Sequence, residues 1–219
     1  MSLHLQRDLD ELKRDVLHLG SLVETSIGNA SVALKDRRPE LAEIVFADEV
    51  LINEKEVNIE ESCLKILALH QPVAADLRFI VVVLKVNNDL ERIGDLAENL
   101  TERAVYLSER EPLVGPTMKI NGMFITIRSM LKDSLDSLVK LDVELARKVI
   151  AQDDGVDEIN REMYDDFRAL VAADGSMVEQ ATSLLSCSRY LERIADLATN
   201  ISEDVLFMVE GEVVRHRVD

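Results

Sequence analysis

Aromatic residues are scarce in this sequence. They make up 4 %, and tryptophan is absent. The core must therefore be aliphatic, and an apolar content of 47 % supplies it and excludes a disordered chain. There are four prolines and eight glycines in 219 residues, which leaves room for very long helices. The abundance of Leu, Ala, Glu, Val, Asp and Arg points the same way. The two cysteines, Cys63 and Cys187, lie in apolar helical contexts in different halves of the chain. They read as buried free thiols in a reducing compartment. No stretch approaches the roughly 18 uncharged apolar residues of a membrane span, and the run from Phe79 to Leu84 is far too short. The opening residues Met1 to Asp8 turn acidic at once and lack a signal-peptide core, so a cytoplasmic location is expected. Positive charge is also short. Twenty-five Lys and Arg stand against 42 Asp and Glu, a net charge of −17. Such a surface repels phosphate backbones and anionic lipids, which argues against nucleic acid and an unaided membrane surface as ligands. It attracts cations and basic partner patches.

Breaker residues divide the chain into six helical segments. The first spans about Leu3 to Lys35, with Leu5, Leu9, Leu12, Val16, Leu19 and Val23 spaced by three and four. The second follows Pro39 and runs to about Leu69, where His70-Gln71-Pro72 ends it. The third runs from about Pro72 to Glu109. Glu111 to Pro116 is the densest cluster of breakers and the best domain junction. Helices four and five span about Thr117 to Lys140 and, capped by Asp142, up to Ala172. The sixth, capped by Ser176 or Asp174, reaches about Glu210, with Gly211 to terminate it. Rods of this length, about 45 Å at 1.5 Å per residue, are stable mainly by packing side by side.

The chain repeats itself. Residues 90–100, LERIGDLAENL, and 191–201, LERIADLATNI, agree at eight of eleven positions, and Glu102 matches Glu203 at the same spacing. Upstream, Glu49-Val50-Leu51-Ile52-Asn53 resembles Asp153-Asp154-Gly155-Val156-Asp157. Two tandem three-helix units, residues 1–111 and 117–219, account for this order. The expected fold is all-α.

On the third helix the apolar seam is Phe79, Val82, Val83, Val86, Leu90, Ile93, Ala97, Leu100, Ala104 and Leu107. Glu91 and Asp95 lie one turn apart, roughly opposite that seam, and Asn88, Asn99 and Glu102 extend the stripe. On the sixth helix the seam runs from Leu184 to Met208, with Arg189, Glu192, Asp196, Asn200 and Glu203 opposite. Acids opposite a seam are ordinarily a solvated face. Three features point further. Little Lys or Arg interleaves the stripe, Asn99 and Asn200 supply neutral oxygens, and the arrangement occurs twice. If the second helix lies beside the third, Glu49, Asn53 and Glu56 face Glu91 and Asp95. Asp153, Asp157 and Asn160 do likewise with Glu192 and Asp196. Like charges held that close need a cation or a proton. Oxygen donors without Cys or His suit Mg, Mn, Ca or ferric iron, and suit zinc less well. Asn53 leaves the first site one charge short, so the second is expected to bind more tightly.

His4, His18, His70 and His216 are scattered, and none joins an acidic motif. No Gly-rich phosphate loop, GxSxG or catalytic Cys/His pair is present, so no enzyme is expected.

The segment Gln71-Pro72-Val73-Ala74-Ala75-Asp76-Leu77-Arg78, then Leu90-Glu91-Arg92-Ile93-Gly94-Asp95, then Leu191-Glu192-Arg193-Ile194-Ala195-Asp196, resembles the PhoU family of accessory regulators of phosphate-specific transport. The resemblance covers essentially the whole chain. It implies two three-helix bundles related by pseudo-two-fold symmetry. It also implies metal ions (iron, manganese, magnesium or zinc) on paired acidic motifs. By position these are Glu49 with Asn53, Glu91 with Asp95, Asp153 with Asp157, and Glu192 with Asp196, and Asn53 departs from the acidic pattern. A further implication is a negative regulator of the phosphate-starvation response that links the phosphate ABC transporter to its sensor histidine kinase. A homodimer is plausible for acidic rods bridged by metal. Two other functions fit the residues alone: a metal-free helical scaffold, and a di-metal carboxylate enzyme, which ordinarily adds histidine inside the bundle.

Overall fold

The structure is a computed structural model, and it describes residues 3–211. His216 lies outside the described residues. Six α-helices follow one another: α1 Leu3–Lys35, α2 Ala42–His70, α3 Ala74–Ser108, α4 Val114–Lys140, α5 Val143–Ala173 and α6 Val178–Glu210. Short 3-10 turns, Pro39–Leu41 and Gly175–Met177, precede α2 and α6.

Helix ends follow local chemistry, with four corrections to the sequence reading. Pro39 opens the 3-10 turn, so α2 itself starts at Ala42. Extended Val73 (φ −129°, ψ 161°) precedes α3, which therefore starts at Ala74 and not Pro72. Helix α4 starts at Val114, not Thr117. It takes Pro116 into its first turn, where a missing N–H leaves no intrahelical bond unmade. Asp174 caps the 3-10 turn by accepting from Ser176 N–H at 2.9 Å, and α6 begins only after that turn. Elsewhere the expected signals act. The Asp142 carboxylate accepts from Leu145 N–H at 3.0 Å to cap α5. Gly211, at φ 74°, ends α6 and donates its N–H to Phe207 O at 3.0 Å.

Helices α1, α2 and α3 pack on one another, and so do α4, α5 and α6. The halves meet where α3 lies against α6 and α1 against α4. Corresponding helices thus occupy corresponding places, giving two three-helix bundles about a pseudo-two-fold axis. Among the described residues, α2 and α5 touch only helices of their own half, so each is an outer helix with an open flank. The α1–α4 approach is close: a Cβ on Gly20 would lie 2.8 Å from Leu135 Cδ1. Aliphatic burial is continuous through both halves, from Leu12, Leu19 and Ile27 of α1 to Leu191, Ile194 and Ile201 of α6. Within α3 the fully buried residue at the seam's start is Ile80, while Phe79 is half-buried, and Met208 is half-buried in α6. Cys63 and Cys187 are free and buried, their thiols pushed up to about 12 chiefly by burial. An ion pair crosses the α3–α6 seam: Lys85 Nζ lies 2.9 Å from the buried Asp204 carboxylate. The same Lys85 ammonium stands 5.3 Å from the centre of the Phe207 ring.

Candidate metal centre

The packing of α2 on α3 and of α5 on α6 brings the acidic motifs of each half together. In the first half Glu49 is buried. Neither of its carboxylate oxygens has a hydrogen-bond partner. Burial first and the neighbouring Asp95 carboxylate second push Glu49 up to about 7, the Asn53 side chain pulls the other way, and the Glu98 charge adds the smallest push. Glu91 is raised by burial and by the charges of Asp95 and Glu56. Glu98 is raised by burial and by Glu102 and Asp95. Asp95 is exposed at the centre of this group.

The second half repeats the plan with different side chains. Burial and then Asp196, Asp157, Glu192 and Asp154 push Asp153 up to about 6. Its Oδ1 is buried without a hydrogen-bond partner. Glu192 is raised by burial and by Asp196 and Asp157, and Asp196 by burial and Asp157. Arg161 Nη2 lies 3.3 Å from Asp157 Oδ2, an exposed pair that supplies a weak cation of the chain's own.

All eight residues singled out in the sequence thus fall into two groups, one per half. Glu98 joins the first group as a member that the acidic motifs do not include. Its signal was one of three mismatches in the repeat, where Thr199 stands at the matching position. Glu98 and Glu56 of the first group stand where Thr199 and Asn160 stand in the second, so the charge missing at Asn53 is made up nearby. Asn99 turns its amide N–H onto Asp95 O at 2.7 Å, along its own helix. His70 pairs with Asp8 at 3.0 Å, away from both groups.

Each group offers hard oxygen donors, and the unpartnered oxygens of Glu49 and Asp153 are the atoms that a cation would satisfy. The donor set therefore fits a hard metal ion. Among the described residues, no three His, Cys, Asp or Glu side chains stand close enough to hold an ion as they are. The nucleophile–base pairs and histidine ligands of hydrolytic or oxidative bundles have no counterpart in either group.

Six long helices in two matched bundles, each with an outward acidic group, define a duplicated all-helical protein of the PhoU type. A family model described as "PhoU domain" matches residues 16–104 and again 120–205. The chain belongs to the PhoU family. A phosphate-specific transport system accessory protein PhoU homolog of Aquifex aeolicus is 40 % identical over 97 % of this chain and 96 % of its own length. One from Pseudomonas putida is 34 % identical over 99 % of this chain and 84 % of its own. The crystal structure of PhoU from Pseudomonas aeruginosa superimposes with a TM-score of 0.92 at 32 % identity, covering 94 % of this chain and 99 % of that one. The phosphate transport system regulatory protein PhoU from Streptococcus pneumoniae gives a TM-score of 0.89 at 28 % identity. The family is named for accessory and regulatory proteins, not for an enzyme activity. Among the described residues no helix is long and apolar enough to cross a membrane.

Proposed function

We propose that this chain is a metal-binding, non-enzymatic regulator of phosphate uptake. In this reading it acts in the cytoplasm and represses the phosphate-starvation response. It does so by linking the phosphate ABC transporter, through its ATPase subunit, to the sensor histidine kinase. Full-length similarity to PhoU accessory proteins supports the transport connection. The observation that carries the metal component is the pair of carboxylates with buried, unpartnered oxygens, buried Glu49 and half-buried Asp153, each pressed among like charges. Glu49, Asn53, Glu91 and Asp95, with Glu98 beside them, would hold one ion. Asp153, Asp157, Glu192 and Asp196 would hold another. Bound metal would neutralise each group and fix α2 against α3 and α5 against α6. Iron, manganese and magnesium suit the donors better than zinc. Because Glu98 offsets Asn53, and Arg161 already engages Asp157, the two sites are proposed to be of similar affinity. A homodimer is part of the proposal, and its mass in solution tests it.

The function is tested by deleting the gene and assaying alkaline phosphatase in high phosphate. Derepression supports the regulator, and unchanged repression, in a strain with no second copy of the family, contradicts it. A metal-free scaffold would repress equally well with its acidic groups neutralised.

A further inference from the structure

Helix α2 and its counterpart α5 share a core register. Ala42, Val45, Ile52 and Ile59 are buried in one, and Ala146, Val149, Val156 and Met163 in the other. Their outer faces differ sharply. Phe46, Val50, Val57 and Leu64 stand one or two turns apart along α2 and are 38 %, 57 %, 50 % and 55 % exposed. The matching α5 residues are Ile150, Asp154, Arg161 and Arg168. The first packs against the core and the other three are exposed charges. One copy of the repeat thus carries an open apolar row where its twin carries a solvated one. No other helix covers that row, because α2 touches only α1 and α3 among the described helices.

The margins of the row select its occupant. By helical spacing, exposed Glu54 and Glu61 flank it on the solvent side, and exposed Glu60 flanks it on the α3 side. The two lysines of α2 face the other flank. Lys55 pairs with Asp15 of α1 at 2.6 Å, and Lys65 lines a cleft with Asp8 and Glu11 of α1. A second copy of this face would set carboxylates against carboxylates, and an anionic membrane would meet the same margins with like charge. We propose that the α2 outer face docks an amphipathic helix of another protein, with an apolar seam that lies along Phe46, Val50, Val57 and Leu64 and basic residues on both sides. This surface deepens the regulator reading and rests on it for the need of a partner.

The test titrates full-length protein into a fluorescent synthetic helix about three heptads long, with leucine at the seam and lysine on both flanks. A second peptide carries glutamate flanks. The variant Val57→Arg with Leu64→Arg uses the residues that α5 already carries at these places, and circular dichroism and thermal unfolding confirm that it folds. Binding of the lysine-flanked peptide alone, weakened at least about tenfold by the variant, supports the proposal. Equal binding by the variant, equal binding of both peptides, or no binding overturns it. A dimer that the variant dissociates also overturns it, because a second copy then covers the face. These readouts are independent of alkaline phosphatase, so failure of the docking surface is distinct from failure of the regulatory role.

Discussion

Gly94 makes room for Glu49: a Cβ at Gly94 would lie 2.9 Å from Glu49 Oε2 and 3.1 Å from two carbons of Ile52. In the second half the same pair is Ala195 and Asp153. The added methyl group on α6 accompanies a carboxylate one methylene shorter on α5. The two halves thus place a carboxylate at matching positions, buried in Glu49 and half-buried in Asp153, by different division of the space.

Gly94→Ala tests that relationship. The gain in helix propensity, about 0.5–1 kcal/mol, is smaller than the crowding of Glu49 and Ile52, about 1–3 kcal/mol. A net loss of about 1 kcal/mol is expected in urea unfolding. Glu49→Asp in the Gly94→Ala background should recover most of it, as the second half already does. Losses that simply add would show that the two residues are not coupled.

The raised carboxyls of Glu49 and Asp153 set a pH dependence. A carboxyl raised on folding holds its proton more tightly in the folded chain than in the unfolded one. Its protonated form therefore favours the fold at low pH. That advantage fades as pH rises from 4.5 to about 7 for Glu49, and from 3.8 to about 6 for Asp153. Asp8 and Asp136, held below their ordinary 3.8 by His70 and Lys140 respectively, act only beneath that window. Metal-free protein should lose thermal stability across the window. Glu49→Gln should flatten the slope and raise the neutral-pH Tm by roughly 2–4 °C. A metal-free Tm that climbs through the window contradicts this.

The cross-seam pair Lys85–Asp204 ties one half to the other. Asp204 is buried while Lys85 is partly exposed, so Lys85→Met removes a charge partner from a group that water does not reach. A loss of about 1–3 kcal/mol is expected in urea denaturation. No change would mean that Asp204 is satisfied without Lys85.

Much of this architecture was legible from periodicity. All six α1 positions read as core, from Leu5 to Val23, are buried, because a rod packed on one side keeps one apolar stripe. Helix starts were less legible. Pro116 reads as a breaker in a linear sequence, yet in a first turn it costs no hydrogen bond. The acidic groups were legible as a repeat, but Glu98 was not. Its neighbour Asn99 drew attention as an oxygen donor, whereas the inter-helical packing brings the Glu98 charge to Glu49. The burial of Glu49 was hidden for a related reason. It depends on the missing side chain of Gly94, on another helix and 45 positions away in the sequence.

Metal retention tests the central claim most directly. Full-length protein is equilibrated in turn with iron, manganese, magnesium and zinc, dialysed, and submitted to elemental analysis. The comparison variant combines Glu91→Ala, Asp95→Ala, Glu192→Ala and Asp196→Ala. Wild type should retain at least one of these metals, and the folded variant should retain none. A wild type that keeps no metal, or a variant that keeps as much, would contradict it.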